Sequence, residues 1–292
     1  MNRAPARRSP ARGYSLVELL LALLLVSVVL GGVMMAFFRT SAQAENLVAV
    51  TDRRQSARTG VQLIERELRT AGSGFGRIPV YGNNGVGQPI VLSAVTPGYS
   101  SPAADDSLVM MGAWQVSTTV QSQMPTPSAN LKVQDVTGFN DGDLVLVCDG
   151  QYANMFQVTS SNSSSQTLQH NPASPYNNPG GMNAASGTWP SSGYTVGSIV
   201  CKLTISSFYI DRTTYRKPVL MRHEYMQVPQ MVAYNVDGMR VWYELQDGSW
   251  TRNPKDLMKV TKVCPVVLTR VTALNRPALV DSVWSAVQPR VF

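Results

Sequence analysis

Apolar and polar positions divide the chain into three zones. From Leu19 to Phe38 no charged side chain occurs, only Leu, Val, Ala, Met, Phe, one Ser and two Gly. As a helix rising 1.5 Å per residue, this run spans about 30 Å, the thickness of bilayer hydrocarbon. Further on the pattern becomes periodic. Leu47, Val50, Arg54, Ala57, Val61, Ile64, Leu68 and Ala71 follow a three-four spacing, a narrow apolar stripe with one polar slot. Glu65 and Arg69 stand four apart and are placed to pair. Gly72, Gly74 and Gly76 then end the helix. The zones predict one long helix, membrane-embedded over 14–38 and amphipathic over 39–72. Gly31 and Gly32 are its weak point for a bend.

From Ile78 helical periodicity stops. Short runs rich in Val, Ile, Leu, Thr and Tyr alternate with Gly, Pro, Asn and Asp turns. Predicted strands are Ile90–Ala94, Ser107–Met111, Leu144–Cys148, Ile199–Tyr209, Val219–His223, Met239–Glu244 and Val260–Thr272. Pro265 lacks an N–H and is expected to put the last strand at an edge or to break it. The fold class that follows is α+β: a long N-terminal helix packed on a mostly antiparallel β domain spanning 73–292.

One stretch departs from this pattern. Of the 39 residues 160–198, 24 are Ser, Asn, Gly or Pro, and no charged residue lies between Gly150 and Cys201. The expectation is a loop-rich excursion with short strands, about 149–200, outside the core. Cys148 and Cys201 flank it, each ending an apolar run, and are a candidate disulfide. Closing a loop of that size would contribute about 4 kcal/mol in a chain-entropy picture. Cys264, the third and last cysteine, would then be a buried thiol. Three unpaired core cysteines are the alternative. No C-x-x-C occurs, and no metal ligand set is expected.

The formal charge is +7, which suggests an acidic partner. Four of those charges, Arg3, Arg7, Arg8 and Arg12, sit in the first 13 residues, and without them +3 remains. The basic balance is thus partly a property of the leader, and nucleic acid is not the expected partner. The upstream arginines orient the apolar helix with its N-terminus cytoplasmic and the bulk of the chain outside. A secretory signal cut after Ala42-Gln43-Ala44 is a competing reading, but the apolar run exceeds the usual length of such signals. Neither that reading nor a plain anchor explains Glu18, a carboxylate at the edge of a membrane-length run.

The stretch Arg12-Gly13-Tyr14-Ser15-Leu16-Val17-Glu18-Leu19-Leu20 resembles the type IV prepilin signal: a short basic leader, glycine, an aromatic first residue, and glutamate fifth after the cut. Tyr14 and Ser15 stand where that family favours Phe and Thr. The resemblance implies removal of residues 1–13 by a prepilin peptidase, cleaving between Gly13 and Tyr14, and N-methylation at Tyr14. It also gives Glu18 an assembly role. In a filament core of packed helices its carboxylate would neutralise the terminal amine of a neighbouring subunit and pin the register, as a polar residue does in a coiled-coil seam. The segment QSARTGVQLIERELRTAG resembles the PilW-like minor pilins. Weaker echoes of that family occur in FNDGDLVLVCDGQYANMFQVTS and FYIDRTTYRKPVLMR.

No HExxH, GxSxG, GxxxxGK[ST] or paired-carboxylate motif is present, and no catalytic residue or cofactor is expected. His223 reads as structural, and His170 lies in the polar excursion. Asn140, Asp141 and Asp143 read as a hairpin turn rather than a calcium loop. Arg212, Arg216, Lys217 and Arg222 interleave with Tyr209, Tyr215 and Tyr225, and are expected to form the solvated face of a hairpin.

The resemblance implies a minor pilin that primes or supports type IV pilus assembly, without catalysis. Its partners would be prepilin peptidase, other minor pilins, the major pilin and an inner-membrane assembly platform. It would cross the inner membrane once, with a periplasmic C-terminal domain, before passing into the filament. A minor pseudopilin of type II secretion and a DNA-binding or adhesive tip subunit are the alternatives.

Overall fold

The computed structural model describes residues 15–113, 115–177, 188–271 and 279–289. The leader, Gly13 and Tyr14 lie outside them. The chain forms two compact units, Met1–Asp52 and Arg53–Phe292. A single helix, Leu16–Thr70, contributes to both.

In the first unit every large apolar side chain from Leu16 to Phe38 is at least 52% exposed. Gly31 and Gly32 do not interrupt the helical backbone. The hydroxyl of Ser27, inside the run, donates to the Leu24 carbonyl at 2.7 Å, and Thr40 donates to Ala36 at 2.9 Å. These hydroxyls are satisfied by their own helix, as a hydrocarbon environment demands.

The second unit is built on four sheets. A five-stranded antiparallel sheet runs in the order Gln230–Ala233, Val219–Glu224, Thr204–Asp211, Ser107–Gly112, Val95–Gly98. A six-stranded sheet runs Pro89–Leu92, Val80–Asn83, Ala153–Gln157, Leu144–Cys148, Ile199–Lys202, Ser117–Thr119. Its one parallel pairing sets Val80 and Tyr81 against Ala153 and Asn154. A four-stranded antiparallel sheet follows, Trp250–Thr251, Gly238–Leu245, Val260–Val271, Leu279–Trp284. A small sheet joins Leu131–Lys132, Thr167–Gln169 and Ser160–Asn162.

The run Leu144–Cys148 is buried at all five positions because its sheet is covered on both faces. Leu144, Leu146 and Cys148 belong to the main core, which includes Ala57, Val61, Ile64 and Leu68 of the helix. Val145 and Val147 face a second core with Phe156, Leu168 and Tyr194.

Four expectations change. First, the excursion is not outside the core. Phe156, Val158, Leu168 and Tyr194 are fully buried, and Ala153–Gln157 is an inner strand of the six-stranded sheet. Serine and asparagine dominate the composition, but a few large side chains supply the apolar area.

Second, Pro265 lies inside a twelve-residue inner strand, opposite Val241. Val263 exchanges both backbone bonds with Val287. Two residues on, Pro265 turns its nitrogen the same way, toward the gap in pairing between Trp284 and Val287. The missing N–H therefore falls where the ladder is already interrupted.

Third, the helical stripe is buried only from Ser56 onward, and Leu47 and Arg54 are exposed. Fourth, the run 199–209 divides at Leu203 into strands of two different sheets.

Candidate functional site

The helix begins with a reciprocal cap. The Ser15 hydroxyl accepts from the Glu18 N–H at 3.2 Å, and the Glu18 carboxylate accepts from the Ser15 N–H at 3.4 Å. This is a capping box, for which Ser-x-x-Glu is the sequence signature. The signature stands in Ser15-Leu16-Val17-Glu18, although the spacing was read above only for charge. Glu18 thus carries a local role beside any role between subunits. Its carboxylate lies at the first turn, against the Ser15 N–H.

At its other end the helix is fixed to the β domain. A Cβ on Gly60 would stand 2.8 Å from Leu220 Cδ2 and 3.3 Å from the Ala233 Cβ, so any larger residue would have to displace Leu220 and Ala233 of the five-stranded sheet. One turn back, the Ser56 hydroxyl accepts from the Tyr234 N–H at 3.0 Å. Two turns further on, the Glu67 carboxylate accepts from Arg222 Nε and from the Ser206 hydroxyl, both at 2.5 Å. Arg222 also reaches Glu224 at 2.8 Å. Burial alone would lower the Arg222 pKa, but Glu67 and Glu224 raise it overall. At the helix end Gly74 adopts φ +91°, and a Cβ there would meet the Ala113 carbonyl at 2.8 Å.

Two adjacent acids, just before Ser107–Gly112, join the five-stranded and four-stranded sheets. Asp105 accepts from Arg212 at 2.7 Å and from Arg240 at 3.0 Å. Asp106, buried, accepts from the Val241 N–H and from Arg252, both at 2.7 Å. None of these partners was legible as a pair, because each is brought in by tertiary packing.

Cys148 and Cys201, the candidate disulfide pair, stand as separate buried thiols in this structure. They sit on neighbouring strands, but Cys148 faces Ile199 and Cys201 faces Leu146. Diagonal neighbours of this kind stand about 7–8 Å apart at Cα, beyond ordinary disulfide reach. Burial raises both thiols, Cys201 to about 11, and raises Cys264 as well. His170 is buried against Phe156 with its Nε2 3.0 Å from the Ala129 carbonyl, and burial lowers its pKa. His223 is exposed on its strand.

Asp143 bonds the Asn140 N–H at 2.8 Å and Lys202 at 2.8 Å, while Asp141 caps the Ser161 N–H at 2.9 Å, a turn braced by its acids. Among the described residues no group of three or more His, Cys, Asp or Glu is arranged to hold a metal.

The basic hairpin does not present its four cations together. Arg212 and Arg222 are held in the ion pairs above. Arg216 and Lys217 stay at the hairpin tip, where they line an open cleft with Tyr215, Tyr234 and Met231.

The family model of the prokaryotic N-terminal methylation motif matches residues 8–34. The match takes in Gly13, Tyr14, Ser15, Glu18 and most of the apolar run, and it supports a type IV pilin-like protein. No curated protein and no solved structure matches the chain.

Proposed function

We propose that this chain is a minor pilin of the PilW-like kind, a non-catalytic subunit that primes or supports assembly of a type IV filament. The observation that carries this reading is the apolar helix from Leu16 to Phe38, which no described residue covers and which carries Glu18 in its first turn. A surface of that kind needs lipid before assembly and other helices after it. The processing site between Gly13 and Tyr14, with prepilin peptidase as its enzyme, belongs to the same reading. So do a single inner-membrane crossing with the β domain in the periplasm, and contacts with other minor pilins, the major pilin and the assembly platform. In the filament, Glu18 neutralises the amine of a neighbouring Tyr14, since a lone buried charge costs several kcal/mol. The ion pairs and the close approach at Gly60 fasten the helix from Ser56 onward to the β domain.

The capping box makes the test specific. Glutamine serves as well as glutamate in that box but carries no charge. The Glu18→Gln variant should be processed normally, keep its helix, and fail to enter sheared filaments. Normal incorporation would reduce Glu18 to a cap and remove the charge-pairing mechanism. Co-purification with a secretion pseudopilin in place of a pilus subunit would move the protein to the type II system.

A further inference from the structure

The cation-rich hairpin reads in sequence as a solvated face, and the fold takes two of its arginines away. The same fold brings in replacements from distant segments. Lys217 and Asn235 line two adjoining clefts. One, of about 480 Å³, is open and bordered by Tyr215, Arg216, Met231 and Tyr234. The other, of about 150 Å³, is bordered by Arg53, Pro218, Asp237 and Arg270. We propose that these two adjoining clefts together bind single-stranded nucleic acid, with Arg53, Arg216, Lys217 and Arg270 taking the phosphates and Tyr215 and Tyr234 stacking on bases.

The charge count favours an anion. Four cations surround the cleft against one lining acid, Asp237, which is already paired with Arg270 at 3.2 Å. Arg53 is held in place by a 2.8 Å bond from its Nη1 to the Arg270 carbonyl, which uses one of the five donors of its guanidinium. Among the described residues, no ion pair engages Arg216 or Lys217. Asp211 at the hairpin base is occupied by the N–H groups of Thr213 and Thr214. The aromatic part decides between polyanions. Tyr215 is 40% and Tyr234 47% exposed, both bordering the same cleft as Arg216 and Lys217. Half-exposed rings beside cations form the stacking platform and electrostatic groove that unpaired bases require. A bilayer of anionic headgroups would use the cations but not the rings. This inference is independent of the filament reading and stands or falls separately from it.

The test uses the full chain in detergent and a fluorescent oligonucleotide of about twelve thymidines, read by anisotropy. Binding should weaken steeply as salt rises from about 50 to 200 mM. Joint Arg216→Glu and Lys217→Glu substitution should lower affinity at least about tenfold. Joint Lys255→Glu and Lys259→Glu substitution, away from the cleft, should change it far less. Tyr215→Ala with Tyr234→Ala should cost about tenfold. An abasic strand of equal length should bind the native protein more weakly than the thymidine strand and should be indifferent to the tyrosine changes. No binding at low salt overturns the proposal, as does an equal loss from the lysine control. Equal affinity for abasic and thymidine strands, or capture by anionic vesicles that the oligonucleotide does not displace, overturns it too.

Discussion

The Glu67 carboxylate on the helix and the Arg222 guanidinium on the five-stranded sheet meet at 2.5 Å across 155 residues of sequence. The pair is largely withdrawn from water, with side-chain exposures of 10% and 20%. Ser206 and Glu224 complete its bonds. Arg222→Ala should therefore cost about 2–4 kcal/mol, since it strands Glu67 in a poorly hydrated site. Arg222→Lys should recover only part of this, because an ammonium cannot fork to both glutamates. Denaturant unfolding checks both. A loss within the range of an exposed pair, under about 1 kcal/mol, would show that the pair is not what fixes the helix.

Gly60 should tolerate no side chain without a shift. Gly60→Ala gains helix propensity of about 1 kcal/mol but drives its Cβ against Leu220, and the clash should win by about 1–3 kcal/mol. Gly60→Ala combined with Leu220→Ala should cost less than the sum of the two single changes. Additive losses in a double-mutant cycle would place the effect elsewhere.

The His170 imidazole supplies a pH dependence. Burial holds it below its ordinary value of 6.5, so just under that pH the unfolded chain binds a proton that the folded chain does not. Stability then falls as pH drops from about 7 through 6 and is fully present above, by up to about 1.4 kcal/mol per unit. Thermal melts between pH 7.5 and 5.5 should show this fall in the native protein and a flatter profile in His170→Gln. Parallel profiles would exclude His170 as the source.

All three cysteines should count as thiols. Without reductant, alkylation of the unfolded protein should add three labels by mass. In the folded state labelling should be slow, since burial keeps each thiol protonated. A single label would mean that two cysteines are bonded.

Local signals in the sequence are the ones the structure follows most closely. The uncharged run from Leu19, the glycines at 72, 74 and 76 and the Glu65–Arg69 pair each depend on residues a few positions apart. The five buried positions of Leu144–Cys148 were recognisable as a strand for the same reason. What escaped depends on distance in sequence. Gly60 looks like an ordinary polar-face position until Leu220 and Ala233 are seen behind it. Arg212 and Arg222 look free until Asp105 and Glu67 arrive from over 100 residues away. Short strands such as Val80–Asn83 carry too few residues for a period to show, and pairing with Pro89–Leu92 and Ala153–Gln157 makes a strand of it. The cap at Ser15 is local too, since Ser15 and Glu18 stand at the Ser-x-x-Glu spacing of a capping box.

The account rests on removal of the leader and exposure of a methylated amine close to Glu18. The most direct measurement is the N-terminal sequence and mass of the protein recovered from membranes and filaments. The account predicts a chain that starts at methylated Tyr14. A chain starting at Glu45, or one that retains residues 1–13 in assembled filaments, would contradict it.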